Sequence, residues 1–470
     1  MSEQWASFSL DLHLAIDRRQ GLRGGLERAL REAVQRGQLS PGTRMPSSRA
    51  LAQELGIARG TVSQVYEQLA AEGYLLARPR SGVRVAPQPG PASGPVLPPA
   101  PSFRAPFDGH DLRPGLPDLS LFPRGPWLAA TRQVLQSTPH AAFGYGDPTG
   151  HADLRTALAD YLGRARGVLT TPEHIIVCAG YNHALQILCQ ALSRVGSTIA
   201  FEDPALPDYP ALAANAGLRV TRIPVDRDGL VVGELGDEVA AVTTPSHQFP
   251  LGVTLSPRRR IELLDWARRT GSVVLEDDYD GEFRYDRQPV GALQALAPDL
   301  VVYTGTVSKT IAPALRIGWI VAPTHLVPAL RDVLRFDETH LNVIEQLVLA
   351  SLIRGGELDR HLRRCRSRYR HRRDHLGRAV ATHLPGARLS GIAAGLHAVL
   401  TLPGPAGAEP DLLAHLTAHG VAVDGLSTFH HDPRASPLGL VVGYATPPQH
   451  SYDSAVTALT EAIRTAPHQP

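Results

Sequence analysis

Apolar residues recur at helical spacing near the start of the chain and in short continuous runs further on. Leu26, Leu30 and Val34 lie four apart, on one face of a helix that Gly37 closes. The turn LSPG (39–42) follows, and Ser47 or Ser48 caps a second helix through Leu51 and Leu55. After the short turn 56–60, residues 61–72 read as a third helix with Val62, Val65, Tyr66 and Leu69 on its buried side. Two helices joined by a tight glycine-containing turn make a helix-turn-helix. Residues 74–85 then read as two short strands around Pro79–Gly82, a wing that carries Arg78 and Arg80.

The pattern breaks at 87–106, where eight of twenty residues are proline. Such composition favours extended polyproline II segments, about 3.1 Å per residue, so this linker spans up to roughly 60 Å. Beyond Leu112, helices such as 154–164 and 184–192 alternate with apolar runs at 175–178, 198–201, 239–243, 272–276, 300–303 and 317–321. Strands separated by helices predict a sheet covered on both faces, with ligands at the strands' C-terminal ends. The expected organisation is a DNA-binding domain over 1–86, a linker over 87–111 and a ligand domain over 112–470.

A length of 470 residues with 43% hydrophobic and 20% charged composition fits a multidomain globular protein. No apolar run is long enough to span a membrane, and the first residues lack a signal-peptide pattern, so a cytoplasmic location is expected. Cys178, Cys189 and Cys365 form neither a disulfide framework nor a CxxC metal pattern, and Cys178 and Cys189 read as small buried groups. The net charge of +2 is unevenly spread: residues 1–86 hold twelve arginines against eight acids. A basic winged helix-turn-helix points to double-stranded DNA. Arg59, Thr61, Ser63 and Gln64 stand near the exposed N-terminal end of the third helix, where a recognition helix meets base edges in the major groove.

Lysine usage is the sharpest chemical signal. Of 47 Lys and Arg residues, Lys309 is the one lysine. Arginine serves every position that asks only for positive charge, whereas a primary amine can lose its proton and form a Schiff base with an aldehyde. That is the lysine required by pyridoxal 5'-phosphate (PLP). Thr306, Ser308 and Arg316 beside it are two hydroxyls and a forked cation suited to a phosphate dianion. Gly180, Tyr181 and Asn182 follow a strand and open a helix, whose N-terminal amides also receive phosphate. Asp277 and Tyr279, two apart at a strand end, leave it on one side: a carboxylate for a pyridine nitrogen and a phenol for a ring hydroxyl.

These segments carry two resemblances. "PGTRMPSSRALAQELGIARGTVSQVYEQLAAEGYLLARPRSGVRV" (41–85) closely resembles the winged helix-turn-helix of GntR-type regulators, which implies DNA contacts from Arg44, Ser48, Arg49, Arg59, Thr61 and the wing. "YGDPTGHADLR" (145–155), "AGYN" (179–182), "EDPALP" (202–207), "TPSHQFPLG" (244–252), "EDDYDGEF" (276–283) and "GTVSKTIAPALRIGW" (305–319) come in the order of fold-type I, aspartate-aminotransferase-like PLP proteins. Together the chain resembles MocR-type transcriptional regulators, which implies an α/β fold: a winged head plus a fold-type I domain with a small C-terminal α+β subdomain. By that resemblance Lys309 forms the Schiff base, Asp277 pairs with the ring nitrogen and Tyr279 with the ring hydroxyl. Tyr181, Asn182, Thr306, Ser308 and Arg316 surround the phosphate, and Ser246 or His247 sits near the ring oxygen.

Three positions depart from the family pattern. Leu206 stands where an aromatic commonly stacks on the cofactor, Asp208 where some amino-acid-sensing members carry an arginine, and Val441 where aminotransferases hold the arginine that grips a substrate carboxylate. Arg434 is the nearest replacement for that last arginine. The resemblance implies a homodimer that binds operator DNA and responds to PLP itself or to an amine or amino acid reacting with it. A working aminotransferase, or a cofactor-free dimerisation module, are the competing readings. The basic run 360–373 reads as a solvated helix face or a second phosphate contact.

Overall fold

The computed structural model describes residues 5–7, 13–15, 21–78, 82–87, 107–285, 290–337, 339 and 341–466, with backbone only at 5–7, 13–15 and 78. Of the expected linker over 87–111, residues 88–106 lie outside them, and His110–Asp111 pairs as a short parallel strand with Val421–Ala422. The chain divides into two compact units, 1–104 and 105–470.

The first unit packs helices Leu22–Gln35, Ser48–Leu55 and Arg59–Ala71 around a core that includes Leu26, Leu30, Leu51, Val62, Val65, Tyr66 and Leu69. Ser47 is the cap of the second helix, its Oγ accepting from the Ala50 amide at 3.1 Å, and Gly56 ends that helix in the left-handed region. The third helix starts at Arg59, two residues before the expected 61. Gly60 falls in its first turn, where the amides have no partner one turn back and glycine disrupts little. Strands Leu75–Arg78 and Gly82–Val85 pair antiparallel as the wing. Residues 42–45 add to its edge, through Met45 N to Val83 O and Val85 N to Thr43 O, both 2.9 Å.

The second unit is built on an eight-stranded sheet. Its order is Ile175–Cys178, Gly318–Val321, Val301–Thr306, Val273–Asp277, Ala240–Thr243, Thr198–Asp203, Arg219–Asp226 and Gly229–Leu230. Gly318–Val321 runs antiparallel to both neighbours, and the central strands run parallel. The strand at 219–226 had no apolar run to announce it: only Ile223 of its eight residues is buried. Helices cover both faces, Tyr181–Leu192 packing on one and Pro257–Thr270 on the other. A smaller antiparallel sheet, Arg388–Ser390, Ala398–Thr401, Gly439–Val442 and Asp424–Gly425, packs with helices Glu357–His383, Glu409–Ala418 and Tyr452–Arg464. Both faces of the large sheet being covered, its open places are the strand ends, and the candidate site residues gather there.

Candidate cofactor site and nucleic-acid interface

The site begins with the acidic run 276–280, which the fold sorts by partner. Glu276 accepts from the amides of Leu293 and Gln294 at 2.8 and 2.9 Å. Asp278 takes a forked pair from Arg166, Nε at 2.6 Å and Nη2 at 3.1 Å, plus the Tyr303 hydroxyl at 2.7 Å. Asp277 is left over. It is buried, and its Oδ1 has no hydrogen-bond partner. Burial first, and neighbouring Asp278 second, push its carboxyl well above the usual carboxylate range, with Lys309 pulling the other way. A buried acceptor without a donor is costly, so this atom is shaped for a group that brings an N–H.

Lys309 stands on the turn after Val301–Thr306, the strand beside Asp277, and Asp277 is in register with Thr304. Its Nζ donates to the Gly115 carbonyl at 2.7 Å. Gly115, at φ 105°, brings backbone into the site from outside the sheet, a contribution that sequence reasoning missed.

Gly180 caps Tyr181–Leu192 with φ 85°, and a Cβ built on it would sit 3.8 Å from Ser308 Oγ, 3.9 Å from Arg316 Nη1 and 4.0 Å from Thr306 Oγ1. Two hydroxyls, a guanidinium and a helix N-terminus therefore surround one small space. A Cβ on Gly318 would lie 2.9 Å from the Gly180 Cα, so only glycine permits the two strand ends this approach. Arg316 has φ 50°, the one positive value at a non-glycine residue among the described residues. Holding an arginine there costs on the order of 1 kcal/mol, a strain tolerated where it aims the side chain. Tyr181 is buried with its ring 4.7 Å from that of Tyr209, and Asn182 is exposed in the first helical turn. His183, also missed, accepts the Ala179 amide at 3.0 Å on Nδ1, so its Nε2–H faces Asp337. Lysine, unpartnered carboxyl and anion cradle fit the aldehyde, ring nitrogen and phosphate of PLP.

Of the two candidates for the ring oxygen, Ser246 accepts from Arg166 Nη2 at 2.9 Å, while His247 Nδ1 lies 3.0 Å from the Tyr279 hydroxyl and 2.8 Å from Asp280 Oδ2. His247 is thus the one joined to Tyr279. His397 stacks near it at 5.2 Å, and burial, then His247, hold its imidazole down at about 3, so it is neutral.

An apolar cluster packs next to Tyr279 and His397. Leu206, Phe249 and Leu251 pack on Val399, Leu426, Phe429 and Val441. The Phe249 ring meets Tyr279 edge-on at 6.1 Å, His397 at 5.0 Å and Phe429 at 5.1 Å. Val441 is completely buried in this cluster. Arg434 is exposed on the short turn Pro433–Ala435, and Asp208 is exposed at the start of its helix. Phe249 and Phe429 were not singled out in the sequence, although an aromatic inside "SHQFPLG" was the available signal.

In the first unit, Val62, Val65, Tyr66 and Leu69 are buried, which turns the other side of the third helix outward. Arg59 and Gln64 are exposed and Thr61 and Ser63 half-buried on it, with exposed Arg44 and Arg49 and half-buried Ser48 nearby in sequence. A Cβ on Gly82 would lie 3.6 Å from Arg44 Nε, so Arg44 lies against the wing. Arg78 ends the first wing strand, and Arg80 is outside the described residues.

Comparison with known proteins agrees with this division. Residues 22–85 match the family of bacterial regulatory proteins, gntR family, and residues 122–459 match aminotransferase class I and II. The chain is 36% identical to the uncharacterized HTH-type transcriptional regulator YdeL of Bacillus subtilis, over 87% of this chain and 90% of that one. It is 32% identical to the HTH-type pyridoxine biosynthesis transcriptional regulator PdxR of Corynebacterium glutamicum, over 93% and 95%. Among solved structures, a kynurenine aminotransferase of Pyrococcus horikoshii superposes with a TM-score of 0.68 at 26% identity, covering 76% of this chain and 91% of that one. No helix among the described residues is long and apolar enough to cross a membrane. A gntR-family head joined to an aminotransferase class I and II domain, with relatives of this kind along nearly its whole length, makes the chain a member of the MocR-type transcriptional regulators.

Proposed function

We propose that this chain is a homodimeric, cytoplasmic DNA-binding regulator whose operator affinity is set by PLP held covalently on Lys309, and that it controls genes of vitamin B6 metabolism. The observation that carries the reading is the unpartnered Asp277 Oδ1, buried beside the one lysine of the chain and across from an anion cradle. PLP supplies an aldehyde and an electron-withdrawing ring; the residues here bind, orient and charge-match it. Lys309 anchors the aldehyde carbon, Asp277 takes the ring N–H, Tyr279 with His247 faces the ring oxygen, and Thr306, Ser308, Arg316 and the Gly180–Asn182 amides hold the phosphate. Arg59, Thr61, Ser63 and Gln64 reach base edges, while Arg44, Ser48, Arg49, Arg78 and Arg80 hold the backbone.

PLP itself is favoured as the signal, over an amine or amino acid acting through it, because the cluster packed beside Tyr279 is apolar. Val441, Leu206 and Phe429 offer a carboxylate no charge-assisted partner, and such partners position an amino-acid substrate. The similarity to a pyridoxine biosynthesis regulator supports the same choice. The test is a PLP titration of the PLP-free protein on DNA from its own upstream region, with visible absorbance and operator binding read from the same samples. A lysine-bound PLP band that rises together with a change in affinity is expected. A band with unchanged affinity moves the signal to an amine, and no band overturns the cofactor assignment.

A further inference from the structure

The helix Glu357–His383 carries eight arginines between 360 and 373, and their surroundings separate them. Arg372 is buried against Asp118 at 2.7 Å, Arg360 pairs with Glu357 at 2.6 Å, and Arg373 donates to the Gly391 carbonyl at 3.1 Å. Arg368 stands 3.8 Å from Asp118, and Arg366 donates to the Glu282 carbonyl at 2.9 Å. Arg363, Arg364 and Arg370 are exposed, with no carboxylate within ion-pair distance among the described residues.

Arg363 and Arg370, with Arg366 between them, line one wall of an open groove of about 910 Å³. The facing wall is the C-terminal end of helix Ala152–Arg166, where Arg164 is exposed and 3.6 Å from Asp359. Two acids line the groove. Asp359 is matched by Arg164, and burial pushes Glu282 up to about 7 while the Tyr161 hydroxyl bonds to it. The lining is therefore strongly positive.

We propose that this groove is a second DNA-binding surface, one that grips the phosphate backbone of a single strand of operator DNA. Arginine forks match phosphate oxygens, and the seven helical steps from Arg363 to Arg370 span about 10.5 Å. One DNA strand carries a charge about every 3.4 Å of axis, so that span faces about three phosphates. A row of exposed arginines along an open trough suits a continuous polyanion; a small phosphorylated ligand is held instead in an enclosed site by buried donors. The partner is DNA because the same chain carries a gntR-type head, and binding by that head holds the flanking duplex at high effective concentration. The inference rests on the head's DNA binding and is independent of PLP.

The experiment measures operator affinity of the full chain, without PLP, from about 50 to 300 mM salt, on DNA extending beyond the half-sites. Losing two phosphate contacts in R363Q/R370Q should reduce the slope of log affinity against log salt by about two and weaken binding roughly 30-fold near 150 mM. R363K/R370K should restore most of both. A slope and affinity equal to wild type in R363Q/R370Q overturns the proposal. So does weaker binding of inorganic phosphate or a nucleotide with the DNA slope unchanged, which assigns the groove to a small anion. Arg59→Gln separates the two surfaces: it should abolish specific binding, and a wild-type chain that binds no DNA refutes the head's role and this proposal together.

Discussion

The two sides of the ligand site are built on opposite principles. On the cofactor side the fold leaves a buried carboxyl oxygen without a donor and holds Arg316 in a left-handed backbone conformation. Next to Tyr279, the side chains of Leu206, Phe249, Phe429 and Val441 close on one another as an apolar cluster. The first arrangement is costly unless something binds, whereas the second is complete in itself. The difference teaches that a region shaped for an added group can adjoin one closed entirely by its own packing. One set of side chains leaves a polar atom for an added group to satisfy, and the other fills its own space.

The sharpest way to break this contrast is Asp277→Asn. An amide cannot take the ring N–H as a carboxylate does, and a charge-assisted hydrogen bond contributes about 1.5–3 kcal/mol, so PLP should bind on the order of 100-fold more weakly. The same change removes a carboxyl that burial disfavours, and the PLP-free protein should melt no lower than wild type in calorimetry. Arg316→Gln should weaken PLP by about 2 kcal/mol while leaving unphosphorylated pyridoxal unaffected, which fluorescence titration with the two ligands resolves. On the apolar side the signs reverse. Val441→Ala should cost about 2 kcal/mol of stability by denaturant unfolding, through lost burial and a cavity, yet change PLP affinity less than twofold. A tenfold loss of PLP affinity there would erase the contrast. Smallest of all, Ser47→Ala removes a helix cap remote in sequence from both sides and should lower the stability of the head by about 1 kcal/mol with the PLP absorbance unchanged.

Local patterns were legible in the sequence and long-range pairings were not. The four apolar positions of the third helix are the four that the fold buries, because helical spacing dictates them. The strand runs at 175–178, 239–243 and 300–303 were equally plain, because the strands they fall on, Ile175–Cys178, Ala240–Thr243 and Val301–Thr306, are buried on both faces. The half-exposed strand 219–226 lacked that signal, and the antiparallel direction of Gly318–Val321 has no signature in a single strand. Lys309 was singled out by amino-acid choice, but the reason Asp277 rather than Asp278 faces the site is Arg166, 112 residues from Asp278. Similarly, Ser47 and Ser48 looked equivalent as caps until the backbone of the turn decided between them.

The most direct test of the account compares operator affinity with and without saturating PLP in wild type and in Lys309→Ala. Coupling free energies of 1–3 kcal/mol are typical of such linkage, so the wild-type dissociation constant should shift by about 5- to 150-fold on adding PLP. The Lys309→Ala chain, retaining the head and its DNA contacts, should bind the operator with one affinity in both conditions. An equal PLP-dependent shift in the two chains would contradict the account, because the signal would then act without the lysine around which the site is built.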